Sequence, residues 1–268
     1  MAKSVLIFLI STWMPLLLGA CAAQPVNPSF PVTVNEANHA VEEMRAHPRE
    51  LPRPLVIIGG FMDPSVSTPL YKRWFGDVTR NSKIIPVSVC FCGSFAECRE
   101  KVIEAVDAAC PTKDPERTVE VDVVGASLGG LVARYAAAPS TDPKHPRRLG
   151  VVRLFSISSP HSGSMLAKVI GFTDYLRDMQ PGSPFLRSLA RTDPAAKYDL
   201  YPYVFLHDEI VGSHYAAPPG MNPFWLAGPF LLPAHAGAMA DPRILADIAR
   251  RLRGEEPFTR MPPTPLPS

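Results

Sequence analysis

The stretch from Val119 to Ala138 constrains the fold more than any other part of the chain. Val119-Glu120-Val121-Asp122-Val123-Val124 is a β-branched run of strand length, Leu128 to Ala138 reads as a helix, and only Gly125-Ala126-Ser127 separates them. A turn that sharp excludes bulk on either side, and Gly125 and Gly129 stand two positions either side of Ser127. Apolar strand-length runs recur at Leu55–Ile58, Ile84–Val89, Val151–Ile157 and Tyr201–Leu206. Helical spacing occupies 96–109, and again 241–252, where Ile244, Leu245, Ile248 and Leu252 share a face. Strands alternating with helices of this length predict an α/β protein, its sheet parallel and covered by helices on both faces. No internal repeat interrupts the pattern.

Composition adds one constraint. The chain holds 31 prolines in 268 residues, where average usage gives about 13. Proline removes an interior helical hydrogen bond, so a coiled coil or plain helical bundle is excluded, while an α/β domain with prolines in its loops is not. Three of them, Pro25, Pro28 and Pro31, make residues 21–50 a spacer with a short helix near 35–46, and five more make 257–268 an extended or disordered tail. With 27 Lys+Arg against 25 Asp+Glu the net charge is +2, which gives no electrostatic reason for a nucleic-acid partner. At 46% hydrophobic and 19% charged the chain is not a disordered segment.

The N-terminus reads as an address. Val5 to Leu18 is apolar but for Ser11, Thr12 and Pro15, too short for a comfortable membrane span and suited to a signal peptide. Its end, Leu18-Gly19-Ala20-Cys21, resembles a bacterial lipoprotein signal. That resemblance implies removal of residues 1–20 and lipidation of Cys21 with acyl chains such as palmitate. The protein would then be membrane-anchored in the bacterial cell envelope. Ala22, in place of Asp, points by analogy to the outer membrane. The alternative is an ordinary signal peptide cut near Ala23. Four cysteines remain, Cys90, Cys92, Cys98 and Cys110, and an even number in an exported chain suggests disulfides. Cys98 and Cys110 lie on one helix about 18 Å apart and cannot pair. A link from Cys98 to Cys90 or Cys92 is expected, with Cys110 a candidate free thiol. No metal site is expected, since Cys90-Phe91-Cys92 lacks the usual two-residue gap and no His pair accompanies it.

Gly125-Ala126-Ser127-Leu128-Gly129 fits G-x-S-x-G, and its strand–turn–helix setting is that of a nucleophile elbow; the plainer reading is a serine that caps a helix. Val121 to Tyr135 resembles the elbow of α/β-hydrolase-fold lipases and esterases. Ser159-Pro160-His161-Ser162-Gly163-Ser164 resembles a strand-end segment of the same family, and Met179 to Leu186 is similar to part of its cap region. The likeness covers roughly 54–253. Ala126 and Gly59 depart from it, both standing where histidine is usual. The resemblance implies an α/β-hydrolase domain over 51–256, with a mostly parallel central sheet and a helical cap or lid at 163–200.

A serine hydroxyl needs a base to take its proton and an acid to orient that base, and in this fold the chain order is Ser, acid, His. His145 comes too early, His161 is structural in the family, and His207 abuts the fifth strand. His235, just before the last helix, is the expected base, with His214 as alternative. Asp208 is the expected acid, with Glu209 as alternative. The oxyanion donors are expected at the backbone of Leu128 and of Phe61 or Met62. Met165, Leu166, Val169, Ile170 and Phe172 suggest an apolar lid face. Met62, Phe224, Trp225, Phe230 and Leu231 either line an acyl pocket or fill core. The expected activity is hydrolysis of carboxylic esters, acyl or lipid, without a cofactor. A thioesterase, amidase or acyltransferase would use the same triad. A non-catalytic surface lipoprotein would require loss of a triad member, and none is lost.

Overall fold

The computed structural model describes residues 30–267 apart from 62, 64, 81–82, 141, 143–144, 171–173 and 229–232. The apolar leader, Cys21, Met62, Phe172, Phe230 and Leu231 therefore lie outside the described residues, as do the side chains of Val169 and Ile170.

In chain order the elements are α1 (Val34–Ala46), β1 (Leu55–Ile58), α2 (Ser67–Val78), β2 (Ile84–Val87), α3 (Phe95–Ala109), β3 (Arg117–Ala126), α4 (Leu128–Ala137), β4 (Arg148–Ile157), α5 (Met165–Ile170), α6 (Asp174–Asp178), α7 (Pro184–Ala196), β5 (Asp199–Phe205), β6 (Phe224–Leu226), α8 (Ala234–Ala240) and α9 (Pro242–Leu252). The strands form one sheet in the order β2-β1-β3-β4-β5-β6, and every neighbouring pair is parallel. Buried on both faces, the strands carry apolar runs such as Leu55–Ile58 and Tyr203–Phe205 rather than a strict alternation, and Asp122 of β3 pairs with Arg153 of β4 (2.6 Å). The strand period of two still sorts them. Val56, Ile58, Val121 and Val123 face α3, α4 and α7, while Leu55, Ile57, Val124 and Ala126 face α1, α2, α8 and α9.

The prolines fit this frame. Pro86 lies in β2, an edge strand, and Pro202 in β5 precedes the stretch where β6 begins to pair, at Tyr203. Pro184 and Pro242 open α7 and α9, where a missing N–H costs nothing.

Four expectations are corrected. The domain does not begin at 51: Ala37, Ala40, Val41 and Met44 of α1 are buried against the body, and Phe30 packs edge-on against Tyr203 and Phe224. Arg253 clamps this helix from the far end of the chain, donating to the Met44 carbonyl (3.1 Å), the His47 carbonyl (2.9 Å) and the Val78 carbonyl at the end of α2. Nor is 257–267 a disordered tail. Phe258 packs half-buried against the core with Arg250 over its ring, its amide donates to Asp247 (2.9 Å), and the Trp225 indole donates to the Thr264 carbonyl (3.0 Å). Third, Cys90, Cys92, Cys98 and Cys110 are all thiols; the last three are buried in the α3 face, where cysteine serves as a small apolar side chain. Fourth, α7, expected within the cap, packs against α3 and α4 instead, with Leu186 and Leu189 buried and Phe185 stacked on Phe95 and edge-on to Tyr135.

Candidate active site

The carboxyl ends of the parallel strands gather the candidate residues. β3 ends at Ala126, and Ser127 follows with φ 50° and ψ −122°, a left-handed backbone that a non-glycine residue adopts only under strain. The flanking glycines are dictated by contact with backbone. A Cβ on Gly125 would come within 2.5 Å of the Gly130 backbone, and one on Gly129 within 2.2 Å of the Ile58 carbonyl oxygen. Leu128 then opens α4, whose first-turn amides have no acceptor within the helix.

Asp208 lies three residues beyond β5 and is buried at 4% exposure. Its Oδ1 accepts the amides of Ile210 (3.1 Å) and Val211 (2.8 Å). Burial pushes this carboxyl up. The hydrogen bond and charge of His235 and the Val211 amide outweigh burial and hold it below its ordinary value of 3.8.

His235 was expected in a loop and lies instead in the first turn of α8. Small residues let that helix sit close to the sheet: Ala238 is fully buried, and a Cβ on Gly237 would touch the Phe205 ring at 3.3 Å. The Tyr71 hydroxyl of α2 ties its far end by donating to the Met239 carbonyl (2.5 Å). The imidazole spans the gap. Its Nδ1 lies 3.0 Å from both Asp208 oxygens and its Nε2 lies 3.0 Å from Ser127 Oγ. Glu209, the alternative acid, accepts the backbone N–H of His235 through its carboxylate (3.1 Å). His214, the alternative base, is exposed in a short 3-10 turn.

His161 sits elsewhere, fully buried, with Nε2 2.8 Å from Ser156 Oγ and its carbonyl accepting from Arg134 (2.9 Å). Burial, and then the Arg134 charge, push its imidazole well below 6.5, so it is neutral.

The loop after β1 passes close to Ser127: a Cβ on Gly60 would lie 3.2 Å from Ser127 Cβ. Phe61, at the mouth, and Leu128 both line the cleft above the serine. Asp63, which sequence reasoning missed, folds this loop. Its carboxylate accepts the amides of Val66 (2.7 Å) and Ser67 (3.1 Å) and the Ser67 hydroxyl. An aspartate three to four residues ahead of a helix start is the local signal that would have found it.

The cleft itself is about 70 Å³ and is walled by Leu166, Ala167, Leu176, Met179, Ile210 and Val211. Phe224 and Trp225, expected among its lining residues, are not there. They form β6, 6% and 3% exposed, with Phe224 stacked on Tyr203 and Trp225 under the C-terminal segment. The two readings of the apolar stretch 221–232 resolve as core at these positions. Among the described residues no cluster of three or more His, Cys, Asp or Glu side chains is placed to hold a metal ion.

No family model matches the sequence, and no curated protein matches it. Solved structures do match its fold. Aspergillus fumigatus lipase B aligns over 88% of this chain and 62% of its own, with a TM-score of 0.56 and 18% identity. The mature form of the Bacillus licheniformis lipase BlEst2 aligns over 77% of this chain and 94% of its own, at TM-score 0.50 and 15% identity. The fold is that of an α/β hydrolase. Phospholipase PlaB from Legionella pneumophila also matches at TM-score 0.47 and 12% identity, and the chain spans 45% of that protein's length. At these identities the likeness speaks to architecture, and chemistry has to come from the site.

Proposed function

We propose that this α/β-hydrolase domain hydrolyses carboxylic esters through an acyl-enzyme on Ser127. The observation that carries the reading is the unbroken chain from Asp208 through His235 to Ser127 Oγ, with each contact at 3.0 Å, on a strained elbow beneath an apolar cleft.

His235 Nε2 takes the Ser127 hydroxyl proton as Oγ attacks the ester carbonyl carbon. The carbonyl oxygen becomes an oxyanion, received by the backbone N–H groups of Leu128 and Phe61. Collapse breaks the carbon–oxygen bond of the leaving alcohol, which takes the proton from His235. Water then gives a proton to His235 and attacks the acyl carbon. Collapse of the second oxyanion releases the acid and returns the proton to Ser127. Asp208, ionised and buried, orients the imidazole and stabilises its transient charge. Two amides and both bonds to His235 hold it in that role.

The apolar character of the substrate is supported by the rim. Phe61, Val66, Leu70, Phe91, Met165 and Leu166 are large exposed apolar side chains. All six lie in segments that follow the carboxyl ends of β1, β2 and β4, the edge that carries Ser127.

A fluorophosphonate reporter tests the chemistry. It is expected to label the wild-type protein at Ser127 and to leave Ser127→Ala unlabelled; equal labelling of both would overturn the reading. The lipid anchor at Cys21, and with it placement in a bacterial envelope, belongs to the same proposal and rests on the Leu18–Cys21 pattern. Radiolabelled palmitate is expected to enter the wild type and not Cys21→Ser. An unmodified mature N-terminus beyond position 21 would remove the anchor.

A further inference from the structure

We infer that the acyl group accepted at Ser127 is short, aliphatic and unsubstituted, an acid of up to about five carbons. The inference rests on the ester-hydrolase reading above. The cleft over Ser127 measures about 70 Å³, where sites for drug-sized ligands take several hundred. A water-sized group needs roughly 10–15 Å³ of such space, so the cleft admits about five of them.

The far walls are packed protein. Ala167, Met179 and Val211 are 2%, 6% and 1% exposed, so an acyl chain that outgrows the cleft meets side chains rather than solvent. These walls are tied together. The amides of Met165 and Leu166 donate to the carbonyls of Val211 and Ile210 (3.1 Å each), and the Ser164 amide donates to the Met179 carbonyl (2.9 Å). Val211 is held in turn through its amide by Asp208. The lining also offers nothing polar to a substituted chain. Among the described lining residues the one hydroxyl besides Ser127 is that of Ser164, which is spent on the Ile210 carbonyl (2.7 Å). A hydroxyl, amino or carboxyl group on the acyl chain would be buried without a partner. Leu166 and Phe61, partly exposed at the mouth, leave the outward side to the alcohol. Met179 and Ala167, both buried in the lining, are therefore specificity-determining residues whose side-chain size sets the room left for the acyl chain.

The test is a chain-length profile of kcat/KM on p-nitrophenyl esters from acetate to decanoate, using the full chain. The wild type is expected to peak between acetate and pentanoate and to fall at least about tenfold by octanoate. Met179→Ala is expected to raise the octanoate-to-butyrate ratio about tenfold, and Ala167→Leu to move the peak to acetate. A wild-type profile that is flat or rises to octanoate overturns the inference. So does a folded Met179→Ala with an unchanged profile. If Met179→Ala does not fold, the wild-type profile and Ala167→Leu decide. Fluorophosphonate labelling separates the two proposals: labelled Ser127 with a long-chain preference overturns the acyl limit alone, whereas no labelling and no turnover at any length overturn the hydrolase reading and this limit with it.

Discussion

Ser127 holds its left-handed backbone because the glycines beside it leave no room for any other path. Gly129→Ala would drive a Cβ to 2.2 Å from the Ile58 carbonyl oxygen, and two strand ends cannot both move to relieve it. The expected cost is at least about 3 kcal/mol, read as a fall in the urea midpoint. Asp208 carries a pH signature. Its carboxyl is held low in the folded protein, so the stability it contributes is complete above its ordinary value of 3.8 and is lost as pH falls through the lowered folded value. Asp208→Asn is expected to lack that acid-side loss in urea midpoints taken from about pH 5 to 3, and to reduce kcat by roughly three to four orders of magnitude. Glu209, whose carboxylate accepts the His235 backbone amide, holds the base without touching substrate. Glu209→Ala is expected to lower kcat about two- to tenfold with KM unchanged, and Glu209→Gln, which keeps an acceptor, to restore it.

At the scale of elements, legibility in the sequence tracks locality. The elbow, its strand and its helix are adjacent in the chain, and β-branched runs bounded by glycine left one arrangement open. Asp208 and His235 were legible because each follows a recognisable strand or precedes a recognisable helix in the order the fold requires. β6 was not. Three residues inside the apolar stretch 221–232 have no period to read, so Phe224 and Trp225 looked as much like pocket as like core. Leu166, expected on an apolar lid face, does wall the cleft; the other walls escaped for another reason. Leu176 and Met179 reach it from between β4 and β5, and Ile210 and Val211 reach it because the Asp208 turn points them there. Proline content misled at the C-terminus. A chain that cannot form a helix can still lie extended against a domain, donating and accepting where its neighbours allow. Trp225 and Asp247 supply the partners here.

Across the whole molecule the first and last described segments both pack at the β6 edge of the sheet, Phe30 against Phe224 and the stretch around Thr264 against Trp225. Residues 257–267 cover Trp225 and set Phe258, half-buried, against the core. Removing 257–268 is expected to lower Tm by about 5 °C or more, followed by circular dichroism, while Ser127 remains reactive toward the fluorophosphonate, since no residue of that segment lines the cleft. Arg253 draws the further consequence. It joins the ends of α1 and α2 across separations of 209 and 175 residues. Contacts so distant in the chain are made only after the intervening loop has closed, which slows their formation and leaves apolar surface waiting. Helix α1 is thus among the last of the described elements to find its place. Until Arg253 arrives, the face of α1 that carries Ala37, Ala40, Val41 and Met44 has no fastening at its carboxyl end.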